Sequence, residues 1–139
     1  MVLRKVIATN LEAARITAEE VLGTLQANGV ANATLFAIRL AMEEALINAI
    51  KHGNRLDPHR RIRLSADIDE RRVRITVADE GAGFDPAAVP DPTADENLEK
   101  PCGRGIMLMR AYMDEVEYNA RGNEVRMVKR RPGPPREGA

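Results

Sequence analysis

Apolar and polar positions along this chain alternate with two different periods, and each period predicts an element. Residues 2–8 alternate closely enough for a short strand. Over 11–28 the apolar positions fall at helical spacing, at Leu11, Ala14, Ala18, Val21 or Leu22, and Leu25, and Gly29 fits the stop of that helix. A second helix is predicted from about Asn32, a suitable N-cap, to His52, with Gly53-Asn54 as its stop signal. Ile62, Leu64, Ala66 and Ile68 then alternate, as do Val73, Ile75 and Val77, which predicts an antiparallel hairpin across a short charged connection. A third helix is expected from Arg104 to about Tyr112. Val116, Tyr118, Val125 and Met127 close the pattern as a hairpin around Arg121-Gly122-Asn123.

The order β-α-α-β-β-loop-α-β-β predicts a two-layer α+β sandwich, an antiparallel or mixed sheet covered on one face by helices. Residues 84–102 break the periodicity. They are rich in proline and acid, and a loop of that length in a small domain is expected to be a functional lid or to lack order. The tail RRPGPPREGA has nothing to pack with. One domain over 1–131 with a disordered tail, 132–139, is therefore expected.

Composition narrows the function more than the fold. Lys and Arg number 21 and Asp and Glu 21, so no net field draws the chain to nucleic acid or to a membrane surface. Aromatics are 3% with no Trp, which argues against a base-stacking platform. Cys102 is the single cysteine, so an internal disulfide is excluded and a reducing compartment is expected. With no apolar leader and no run of membrane-spanning length, the expected location is the cytoplasm.

Three short motifs carry the chemistry: EEALINAIKHGN at 43–54, DEGAGF at 79–84 and GRGIMLM at 103–109. Glu44 and Asn48 are one helical turn apart and share a face. Leu40 and Ile47 flank Glu44, so its carboxylate either faces a lined pocket or carries a burial penalty, whereas Glu43 has Arg39 four residues earlier as a solvated partner. An Asn oxygen can complete a Mg²⁺ shell otherwise filled by water and phosphate, and a Glu one turn away can take a proton from a hydroxyl.

Asp79 shares the parity of Val73, Ile75 and Val77. If that face is the core face, the carboxylate needs a strong donor, and an adenine amine would supply one. Gly81 and Gly83 let the backbone turn and approach a flat ligand. Gly103 and Gly105, flanking Arg104 where a helix begins, would present free N–H groups to phosphate, with the Arg104 guanidinium as a charge contact. Each motif alone also fits something ordinary: a polar helix face, an Asp-Gly turn, a glycine at a helix end. Their order and context together point to a nucleotide. His52 and His59 show no metal-ligand spacing with each other or with Cys102, and His52 reads as a helix-end histidine.

ExxxN on a helix, DxGxG after a strand, a variable loop and GxG at a helix start resemble the Bergerat ATP-binding fold of the GHKL superfamily, which includes histidine kinases, gyrase and MutL-type proteins. The resemblance covers roughly residues 5–130. A stand-alone domain with EALINAIKHGN resembles the bacterial anti-sigma factor serine/threonine kinases of partner-switching systems. That resemblance implies ATP and Mg²⁺ as cofactors, Glu44 as general base and Asn48 as Mg²⁺ ligand. It also implies Asp79 on adenine with Gly81 and Gly83 shaping that wall, and Gly103, Arg104 and Gly105 on phosphates beneath the 84–102 lid. The implied partners are a STAS-domain antagonist as phosphoacceptor and a sigma factor or equivalent regulator, with the chain a homodimer that binds neither nucleic acid nor membrane directly. Two alternatives stand beside this reading: an ATP-binding sequestering module without transfer, and a detached histidine-kinase-like domain acting in trans.

Overall fold

The structure, a computed structural model, describes residues 1–81 and 101–132, with the backbone course alone for 101–106. Strand β1 (Val2–Ala8) leads into helix α1 (Leu11–Ala27) through Asn10, whose extended backbone lets its side chain accept the Ala13 N–H at 2.7 Å. The helix stops at Gly29, which has φ 81°. There the Val30 N–H reaches the Leu25 carbonyl at 3.1 Å and the Gly29 N–H reaches Gln26 at 3.0 Å, the paired closure that a left-handed residue permits. Replacing Asn10 with Ala should cost about 1 kcal/mol, read as a lower denaturation midpoint at unchanged slope; an unmoved midpoint would show that the cap contributes nothing.

Helix α2 (Asn32–Asn48) departs from the sequence expectation at both ends. Asn32 is already helical, and the capping position belongs to Ala31 (φ −66°, ψ 151°), which has no side chain to bond with. At the other end the α-helix does not continue to His52. It widens into one π turn, Ala49–Gly53, closed by the Asn54 N–H on the Ala49 carbonyl at 2.7 Å. Arg55 and Leu56 follow with φ 52° and 61°, so two side-chain-bearing residues sit in the left-handed region.

Strands β2 (Arg61–Ile68) and β3 (Arg72–Ala78) form the expected hairpin. Helix α3 (Pro101–Tyr112) starts three residues before the predicted Arg104, because a proline needs no N–H partner at the first helical position and has its φ preset there. Strands β4 (Glu115–Tyr118) and β5 (Glu124–Arg130) close the chain.

The sheet runs β1-β2-β3-β5-β4 with every neighbouring pair antiparallel. Its registers stack apolar rows on one face: Ile7 faces Ile62, Leu64 faces Val77, which faces Val125, and Ala66 faces Ile75, which faces Met127. Against these rows pack Val21, Leu22 and Leu25 of α1 and Ile38, Met42 and Leu46 of α2, all buried. The opposite face is polar, with Arg74 paired to Asp67 at 2.9 Å and Arg126 paired to Glu117. This is the two-layer α+β sandwich that the alternation predicts.

Candidate functional site

Four pieces of the fold converge on one cavity of about 80 Å³: the end of α2, its π turn, the end of β3 and the β4–β5 hairpin. Ala45, Ala49, Val77 and Val125 give it apolar walls, and Asn48, His52, Asp79 and Asn123 bring polar groups to it. Asp79 is there because strand parity carries it. Val73, Ile75 and Val77 are buried on the core face, and Asp79 continues their row past the end of β3.

The carboxylate of Asp79 is hydrogen-bonded through one oxygen and unpaired among the described residues at the other. Its Oδ1 accepts the Gly81 N–H at 2.8 Å, while Oδ2 accepts no hydrogen bond from the described residues. Burial pushes the carboxyl above its ordinary value; the Gly81 N–H and the charge of Arg60 work against that rise without cancelling it. Space around it is tight. A Cβ added at Gly53 would stand 2.2 Å from Asp79 Oδ2, and one added at Gly81 would stand 2.0 Å from the Gly53 carbonyl oxygen. Gly53, Gly81 and Asp79 therefore form one close-packed cradle.

Asn48 is half-buried in the lining of the same cavity, and its buried Nδ2 has no hydrogen-bond partner among the described residues. Glu44, one turn upstream, is also half-buried, makes no hydrogen bond or ion pair among the described residues, and does not line the cavity. Glu43 behaves as its spacing predicts, 3.9 Å from Arg39, although Arg39 is held more closely by Glu19 of α1.

Gly103, Arg104 and Gly105 are not in a turn ahead of α3, as the sequence reading expects, but inside its first two turns. The N–H groups from the N-cap to the third helical residue lack internal partners. In a helix that begins at Pro101 the backbone of Gly103 therefore keeps the donor capacity that motivates its assignment, while the N–H of Arg104 and Gly105 falls within the helical ladder. Gly83 and positions 84–100 of the proposed lid lie outside the described residues. The structure adds residues that sequence reasoning passed over: His52 and Gly53, read as a helix end, together with Tyr118 and Asn123 from a hairpin read as mere closure.

These residues fit an adenine nucleotide. Among the described residues, a buried amide nitrogen without a partner and a half-buried carboxylate with one oxygen that accepts no bond are groups that a polar ligand would satisfy, and the glycine cradle leaves room that any Cβ would fill. The donor set for a cation is sparse: among the described residues no group of three or more His, Cys, Asp or Glu is placed to hold one. Asn48 could contribute one oxygen to a Mg²⁺ whose other ligands are phosphate and water. Gly53→Ala should therefore force the Asp79 carboxylate aside, costing about 1–3 kcal/mol of stability and at least about tenfold in ADP affinity by calorimetry. Unchanged affinity would remove Gly53 from the site.

The fold and this cradle are those of an ATPase domain. The chain belongs to the histidine kinase-like ATPase domain family, whose model matches residues 6–129. Among its relatives is the anti-sigma F factor of Bacillus cytotoxicus, 37% identical over 86 residues that cover 60% of this chain and 58% of that protein. Another is the anti-sigma F factor of Oceanobacillus iheyensis, 32% identical over 101 residues, or 68% of each chain. The aligned region thus spans 58% to 68% of these two proteins' lengths. In fold, the chain is similar to the RsbU and RsbW domains of Rv1364c from Mycobacterium tuberculosis, with a TM-score of 0.63 and 17% identity, covering 96% of this chain and 34% of that one. It is also similar to the histidine kinase domain of a blue-light activated kinase from Erythrobacter litoralis, with a TM-score of 0.54 and 15% identity over 90% of this chain and 61% of that one. No helix among the described residues is long and apolar enough to cross a membrane.

Proposed function

We propose that this chain is an ATP-dependent serine/threonine protein kinase that also acts as an anti-sigma factor in a cytoplasmic partner switch. The observation that carries the nucleotide reading is the Asp79–Gly53–Gly81 cradle, whose Asp79 and Gly53 line one cavity together with Asn48. The likeness to proteins named anti-sigma F factor supports the regulatory half. In this reading Asp79 Oδ2 accepts the adenine amine, Gly81 and Gly83 shape that wall, and Asn48 holds Mg²⁺. Gly103, Arg104 and Gly105 bind phosphates, with the segment from 84 up to the start of α3 as lid. Bound Mg-ATP supplies the transferable phosphoryl group, and the protein's contribution to such a transfer is mainly positioning and charge neutralisation.

Glu44, free of ion pairs among the described residues, takes the proton from the hydroxyl of an incoming serine or threonine. The acceptor is a STAS-domain antagonist, the sequestered partner is a sigma factor or equivalent regulator, and the working unit is a homodimer. Acid treatment of the phosphorylated acceptor tests the reaction class. A phosphate that survives acid places it on serine or threonine; one lost in acid would assign the chain to histidine phosphorylation in trans. ATP binding with no transfer to any acceptor would leave a sequestering module.

A further inference from the structure

Asn54 has no solvent-exposed surface, and its side chain spends its bonds on three other elements. Nδ2 donates to Thr9 Oγ1 at 3.0 Å, beyond β1, and to the Arg61 carbonyl at 3.1 Å, at the start of β2. Oδ1 accepts the Glu80 N–H at 2.8 Å, just past β3. Thr9 is committed in turn: its hydroxyl donates to the Arg60 carbonyl at 2.6 Å, which leaves its oxygen to receive Asn54.

Glu80 follows Asp79 in the chain, and Asp79 has its own N–H on the Asn123 carbonyl at 2.9 Å. The backbone on either side of the Asp79 side chain is therefore fixed, by Asn123 on one flank and by Asn54 on the other. The route that brings Asn54 there is costly. It takes a π turn in place of α-helix, then two left-handed residues, Arg55 and Leu56. Such conformations persist where the surroundings over-determine them, and they concentrate at functional sites.

We propose that Asn54 is a positioning residue of this site, setting the direction of the Asp79 carboxylate from behind and through it the preference for a base that presents an amine. The proposal rests on the reading of Asp79 as the base-binding group. Asn54 does not line the cavity and touches no ligand; it acts through the Glu80 N–H. Guanine presents a carbonyl oxygen where adenine presents its amine, so a correctly aimed carboxylate favours ADP over GDP. A misaimed one loses that preference before it loses phosphate binding.

The test is calorimetric titration of the full chain with Mg-ADP and Mg-GDP, alongside circular dichroism of the nucleotide-free protein. Folded Asn54→Ala should bind ADP about tenfold more weakly or worse, the order of one hydrogen bond to a charged group, with the ADP-to-GDP preference shrinking in parallel. A variant that melts earlier but keeps the wild-type preference would show a merely structural role and overturn the proposal. If Asn54→Ala does not fold, the Thr9 pair decides. Thr9→Val should erode the preference and Thr9→Ser restore it, and a Thr9→Val protein with wild-type preference overturns the proposal. Wild-type protein that binds no ADP would remove the Asp79 reading itself, a failure visible before any substitution is made.

Discussion

Asp79→Asn should abolish adenine nucleotide binding and leave the fold standing. The amide oxygen can still accept the Gly81 N–H, which wild-type Oδ1 accepts at 2.8 Å, so the local turn survives. What changes is the group facing the ligand. An NH₂ in place of Oδ2 meets the adenine amine donor to donor, exchanging a charge-assisted bond for a clash of like groups. Loss of that bond alone is worth roughly tenfold to a hundredfold in affinity, and the mispaired donors add to it.

The nucleotide-free variant should be no less stable than wild type at neutral pH, and its stability should vary less with pH. In the folded protein burial raises the Asp79 pKa above the ordinary 3.8 that the unfolded chain has. Between those two values the native state holds the proton that the unfolded state has released. Stability therefore falls as pH rises through that window, and the ionised carboxylate is a liability at neutral pH. Asp79→Asn removes it. Thermal melts across the acid range check this, and a variant that melts well below wild type at neutral pH would show that the carboxylate is structural rather than held for a ligand.

Glu44→Ala should do the reverse, sparing binding and removing transfer. Glu44 lies outside the cavity wall and makes no bond among the described residues, so its loss leaves the cradle and the core untouched. A positioned general base contributes on the order of 10²–10⁴-fold to a rate, and that is the expected drop in turnover at unchanged ATP affinity. Equal loss of binding and rate would place Glu44 among the nucleotide contacts.

Most of the fold was legible because its elements follow strict periods. The rows Ile62–Leu64–Ala66–Ile68 and Val73–Ile75–Val77 could pair in one register only if one face was to be dry, and extending the second row by one step put Asp79 at its end. The errors fall where local rules compete with tertiary ones. Asn32 is a good cap by composition, yet the chain enters the helix one residue earlier, at Ala31. Pro101 belongs by composition to the loop before it and serves as the first residue of a helix. His52-Gly53-Asn54 has the composition of a helix stop. It is one, but nothing local indicates a π turn or that Asn54 bonds to Thr9 and Arg61. Gly53 faces Asp79 only because residues 26 apart in sequence are brought into contact, which no spacing rule reports.

The central claim is phosphoryl transfer to a serine or threonine of a partner, and intact mass spectrometry tests it most directly. STAS-domain proteins would be incubated with Mg-ATP and either the wild-type chain or Glu44→Ala. A single added phosphate on serine or threonine with wild type, missing with the variant, is the predicted result. An acceptor that stays unmodified while ATP is demonstrably bound, or one modified equally by both proteins, would contradict it.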